Sequence, residues 1–190
     1  MTGDLDAEFA SAVTRLHDDS HVPGLLSQGI PRSAIYGVRP LVGVAAVEID
    51  NHGWFQFAEH GELALIIADG VPGLIGWESI DEVVAIRPET QGQWWRATAA
   101  VQVFGHGKNT DLIDYKTTLG ERIRLYESPH SWLRGGGGGL VILDWTLDPR
   151  DHFEGIKLEC ETPALAAEVR RRAADAAVAA FDLIEVRHGA

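Results

Sequence analysis

A single cysteine, Cys160, leaves the chain without an internal disulfide. That fits a reducing cytoplasm and a fold held by its core alone. No apolar run approaches the ~18 residues that a membrane span needs, so no membrane partner is expected. The opening Met1-Thr2-Gly3-Asp4-Leu5-Asp6 is acidic, where a secretory signal is basic and then apolar. Both features point to a soluble cytoplasmic protein. Basic residues are also scarce: 16 Lys and Arg against 28 Asp and Glu give a net charge of −12. Duplex nucleic acid repels such a surface unless a local basic patch overcomes the mean field. The best basic cluster, Arg170-Arg171-Arg172, shares its helix with Glu168 and Asp175 at i,i+4 spacing and reads as a solvated face. Nucleic acid is therefore not an expected partner.

Catalytic signatures are missing too. There is no His-Glu-x-x-His, no Cys-x-x-Cys pair and no EF-hand loop, so no zinc or calcium site is announced. Without a Gly-x-Ser-x-Gly elbow, a serine hydrolase has no support. The run Gly135 to Gly139 invites a phosphate-loop reading, yet it precedes the apolar Leu140–Leu143. Phosphate-cradling glycines follow a strand and open a helix. The run reads instead as a flexible connector feeding a central strand.

With 190 residues, of which 45% are hydrophobic, the chain is long enough to bury roughly 70% of its unfolded surface. We expect one α+β domain over 1–190. Its sheet is mixed and largely antiparallel, and an N-terminal helix and an Ala-rich C-terminal helix pack on it. Leu5, Phe9, Val13 and Leu16 give the first helix its stripe, with Asp4 as cap. A turn-rich connector covers 21–32. From Leu41 to Arg87 the pattern reads as a meander of hairpins, with strands at 41–49, 54–57, 62–68 and 83–86, the last stopped by Pro88. Ala97–Phe104 has no decisive period, and Thr110–Thr117 suits a short helix. The segment Gly105-His106-Gly107-Lys108 reads as a flexible loop whose imidazole and ammonium can meet a phosphate. Strands are expected at 123–126, 140–143 and 156–160. Thr162 and Pro163 then start the last helix, whose stripe is Leu165, Val169, Ala173, Ala176 and Ala180. Ile184–Val186 is read as an edge strand.

Two constellations carry the functional reading. Asp144 ends a buried strand, where α/β folds place catalytic carboxylates, and Asp148, Asp151, His152 and Glu154 follow closely. Hard oxygen ligands with one imidazole suit Mg²⁺ or Mn²⁺. The plainer reading makes Asp148-Pro149 a turn and Asp151 the cap of one helical turn. The second constellation is Trp94-Trp95-Arg96. On a strand only one of the two rings enters the core, and an outward Trp beside Arg suits a partner surface. Ordinary edge packing with a cation–π contact is its plain alternative.

The stretch from Pro88 to Cys160 is similar to uncharacterised proteins of bacterial prophages and mobile elements. The residues that carry this are Trp94-Trp95-Arg96, His130-Ser131-Trp132-Leu133-Arg134-Gly135-Gly136, Gly139-Leu140-Val141-Ile142-Leu143-Asp144-Trp145 and Ile156-Lys157-Leu158-Glu159-Cys160. The resemblance covers the second half and implies a mobile-element setting. It brings no activity and no catalytic residue, and the longer glycine run departs from the pattern.

Two functions follow. One is a non-catalytic module that needs no cofactor and binds a protein partner through Trp94, Trp95 and Arg96. The other is a metal-dependent phosphoryl-transfer or nuclease-like enzyme using Asp144, Asp148, Asp151 and His152. There a divalent metal is the cofactor, and Arg134 or Lys157 stands near the substrate phosphate.

Overall fold

The computed structural model describes residues 4–18, 21–87, 90 and 92–182, without the side chains at 106, 108, 110–112 and 178–182. The expected stop at Pro88, the Ala180 end of the last helix's stripe, the His106 and Lys108 side chains and the edge strand at 184–186 lie outside the described residues. The fold is α+β. Its strands divide between two sheets where the sequence suggested one.

Helix α1 (Leu5–Asp18) starts where Asp4 Oδ1 accepts the N–H groups of Asp6 and Ala7 at 3.1 and 3.3 Å. A side-chain acceptor there satisfies amides that have no partner within the helix. Phe9, Ala12 and Leu16 are buried. Gly43 admits the helix, because a Cβ on it would lie 2.8 Å from the Ala12 methyl. The expected connector holds two short helices instead, α2 (Val22–Ser27) and α3 (Arg32–Tyr36). Pro23 lies in the first turn of α2 and Pro31 caps α3. Proline at a helix start costs no hydrogen bond, so both prolines begin helices where they suggested turns.

The first sheet comprises β1 (Val42–Ile49), β2 (Phe55–Phe57), β3 (Glu62–Pro72), β4 (Trp77–Ile86) and β5 (Trp95–Arg96). Its order is β2-β1-β3-β4-β5, antiparallel throughout. Strand β2 folds back on the outer edge of β1, so the arrangement is not a simple meander. Strands β3 and β4 are longer than the sequence pattern, extending to a tip at 73–76. Asp69, Gly70 and Pro72 break the apolar run, and register shifts after Asp69 and Val71 absorb the break.

The second sheet contains β6 (Val103–Phe104), β7 (Arg122–Tyr126), β8 (Leu140–Ile142) and β9 (Lys157–Cys160), in the order β6-β8-β7-β9. Strand β7 runs parallel to β8 and β9, while β6 is antiparallel to β8. The helices of this half are α4 (His106–Leu119), α5 (Pro129–Arg134), α6 (Pro149–Phe153) and α7 (Pro163–Asp182). Residues 106–108, expected in a flexible loop, form the first turn of α4 behind Gly105 at φ +86°.

One face of the first sheet packs on α1 through Phe9, Ala12, Val47, Ile66 and Val83. The opposite face contributes Val42, Ile67, Val84 and Ile86 to a cluster shared with Phe104, Trp132, Leu133 and Val141 of the second half. Leu125, Leu140, Ile142, Phe153 and Leu165 form a third cluster. Among the described residues no helix is long and apolar enough to cross a membrane.

Candidate functional site

Asp144 lies two residues beyond β8. Its Oδ1 accepts from Thr146 N at 2.8 Å and from the Thr146 hydroxyl at 2.7 Å. Those two bonds hold its carboxyl below the usual range, with smaller help from the Arg96 charge and the Gln102 amide. Gln102 also meets His152, Oε1 to Nε2 at 3.1 Å. An amide therefore stands between Asp144 and His152.

Asp148 serves a different purpose. It caps α6 through the Arg150 amide at 2.9 Å, and its Oδ2 takes the Arg150 guanidinium at 2.6 Å. The cap belongs to Asp148, not to Asp151, which is exposed in the helix. Lys157 donates to Gly120 O at 3.0 Å, and Arg134 lies against Gly29. Among the described residues no group of three or more His, Cys, Asp and Glu side chains is arranged to hold a metal. Asp148→Ala is expected to lower stability by about 0.5–2 kcal/mol, the cost of a lost cap. Urea unfolding measures this, and no loss would overturn the capping role.

The tryptophan motif divides by strand alternation. Trp94 is half-buried against the cluster shared by the two sheets, and Trp95 against the α1 cluster. Arg87, not Arg96, lies over the Trp95 ring, 4.8 Å from its centre. Arg96 corrects the expectation of a partner surface, since it is buried. Its Nη2 and Nε reach Glu82 Oε2 at 3.0 and 3.2 Å, and it also donates to Val101 O. Trp54 flanks the guanidinium at 5.7 Å.

Glu82 is fully buried, and its other oxygen accepts from Thr98 N at 2.9 Å. Burial pushes its carboxyl up, and the Thr98 and Arg96 bonds pull it back. Asp69 is opposite Glu82 in the β3–β4 register and is also buried, accepting Gly105 N at 2.7 Å where α4 begins. Asp69 thereby pins the first sheet to the second half, while Glu82 anchors Arg96 of β5 and the Thr98 amide that follows it. Asp69 carries a signal in sequence as the lone acid of the run 63–71, whereas Glu82 sits beside Asp81 and is distinguished only by Arg96 on the neighbouring strand. The strand patterns at 62–68 and 83–86 each stop one residue short of these acids.

Open parallel sheets bind ligands beyond the carboxyl ends of their strands, where the chain order reverses. Here that place lies between β7 and β9. Glu161 Oε2 accepts from Glu127 N at 2.9 Å and from the Ser131 hydroxyl at 2.8 Å, and the Thr162 hydroxyl donates to Glu127. An adjoining cleft of about 380 Å³ contains Arg172, which bonds Trp145 O and Glu168. Arg171 and Arg172 hold the Glu168 carboxyl down to about 2. The cleft thus presents carboxylates, and its arginine is paired.

Among the described residues, the most exposed apolar side chains stand elsewhere. At the β3–β4 tip, Leu74 is 100% exposed and Ile75 88% exposed. A groove of about 550 Å³ opens at the other end of the same hairpin, between α2 and the start of β3. Its apolar lining includes Leu25, Val44, Leu63 and Leu65. Comparisons of the chain with protein-family models, curated proteins and solved structures give no match.

Proposed function

We propose that this chain is a non-catalytic cytoplasmic module that binds a protein partner, with the β3–β4 hairpin tip as its recognition element. The carrying observation is the full exposure of Leu74 and the near-full exposure of Ile75 beside it. Burying such side chains recovers about 1.5–3 kcal/mol each. The tip stands on paired strands, and Trp77 Nε1 ties its root to Pro40 O at 3.1 Å. A tip held at its root has less freedom to lose on docking than an untethered loop. Binding through it needs no cofactor. The mobile-element setting belongs to this proposal and rests on the sequence resemblance. The metal-dependent alternative draws no support from the acidic loop, where Asp148 is committed to Arg150 and Asp144 to Thr146.

The test is capture from a lysate of the native host, using the wild type and the double variant Leu74→Ser, Ile75→Ser. The expected result is a captured protein that the variant loses while its thermal unfolding stays unchanged. Identical captured sets would overturn the proposal.

A further inference from the structure

Building on the partner-binding reading above, we infer that the partner is a second copy of this chain, whose hairpin tip seats in the groove beside α2. The knob carries no charge: the seven residues from Val71 to Trp77 include neither acid nor base. The groove is matched to such a knob. Its floor is apolar, Leu63 stands 50% exposed within it, and its rim charges, Arg87 and Glu62, already pair at 2.8 Å. An uncharged insert therefore leaves no ion unpaired, whereas a charged one would have to displace a rim partner.

Placement adds a second argument. Groove and knob occupy opposite ends of one hairpin, Leu65 pairing with Ile86 at the base and Pro72 with Trp77 at the tip. About seven residues separate them, roughly 23 Å along the strand. Two copies lying antiparallel would each insert a tip into the other's groove, which closes the assembly as a two-fold dimer. One such contact is far smaller than the roughly 800 Å² per partner of a stable interface. Two contacts acting together give a weak dimer. Each copy carries a charge of −12, so the dimer should tighten as salt screens the repulsion. A basic partner would behave in the opposite way.

Sedimentation equilibrium of the full chain tests this, from roughly 1 μM to roughly 1 mM, a span that brackets weak dimers. We expect a monomer–dimer equilibrium that strengthens with salt. Leu74→Asp on the tip and Leu63→Lys in the groove should each weaken it at least tenfold, about 1.4 kcal/mol or more. In a Cys160→Ser background, mixing an Ile75→Cys chain with a Leu63→Cys chain under mild oxidation should give the 75–63 disulfide as the main product. A chain that stays monomeric, a dimer that weakens with salt, or a dominant 75–75 product would overturn the inference. Tip-dependent capture of a different host protein would also overturn it, while sustaining the broader partner-binding reading. If no tip-dependent protein is captured and the chain is monomeric, both fail.

Discussion

Arg96→Ala is expected to lower folding stability by about 3–5 kcal/mol at neutral pH, the range found when one member of a buried ion pair is removed. Glu82 is the reason. Its carboxylate is fully buried, and Arg96 reaches it through two nitrogens. Truncating Arg96 leaves that charge to the Val83 amide and to Thr98. It also frees Val101 O and strips the cation from the Trp54 ring.

The loss should depend on pH with a definite sign. Burial already raises the Glu82 carboxyl above its ordinary value in the folded protein, against the pull of Thr98 and Arg96. For a carboxyl raised in this way, the stability contribution is present below the unfolded value. It is lost as pH rises through the folded one. Removing Arg96 raises the folded value further and deepens that loss. The difference between Arg96→Ala and wild type should therefore shrink as pH falls toward about 4, where the unfolded glutamate protonates. Urea midpoints of both proteins across that range provide the measurement. A difference that stays constant or grows in acid would refute the buried-pair account. Adding Glu82→Gln to the Arg96→Ala protein should recover part of the stability at neutral pH, because a neutral amide costs less to bury than a carboxylate.

Legibility in the sequence followed the strength of local signals. Helix α1 could be read because an aspartate cap precedes a clean apolar stripe, and α7 because Pro163 follows Thr162, whose hydroxyl accepts Leu165 N at 3.2 Å. Strands β1 and β8 were plain apolar runs. The full length of β4 was hidden because Glu82 and Asp81 interrupt its pattern. Burial at Glu82 depends on Arg96, which lies 14 residues away, and no local period records such a partner. The same limit misplaced Arg96: beside two tryptophans it resembled a recognition surface, yet its register with Val84 turns it toward the interior. The acidic loop failed for a different reason. Proximity along the chain suggested convergence, but a turn engages Asp144 and a cap engages Asp148 locally, and Asp151 stays exposed on α6. The hairpin tip has no local signal, because Leu74 and Ile75 are ordinary apolar residues until β3 and β4 are paired.

Gly139→Ala and Gly138→Ala, adjacent and chemically identical substitutions, should change stability in opposite directions. Gly139 holds φ at +110°, and a Cβ there would fall on the Arg124 carbonyl oxygen of β7 and 3.1 Å from the Tyr126 ring. Left-handed backbone costs an alanine about 1–2 kcal/mol, and forcing a methyl against packed strand adds about 1–3 kcal/mol. The Gly139 carbonyl is also fixed, accepting from Trp132 Nε1 at 2.8 Å and from the Asn109 amide at 3.0 Å. Gly138 has neither restraint: its φ lies outside the left-handed region and a Cβ would meet nothing within 4 Å. Alanine at 138 should then stabilise by about 0.4–1 kcal/mol, because it removes freedom chiefly from the unfolded chain. Thermal or urea unfolding of the two variants decides the matter. A flexible connector, as the sequence suggested, would accept both alanines with small effects of one sign. A pair split by several kcal/mol would instead identify the run as a fixed turn. Asn109 holds it by donating to the carbonyls of Gly105, Gly137 and Gly139, so that β8 enters the sheet alongside β7 at a set height.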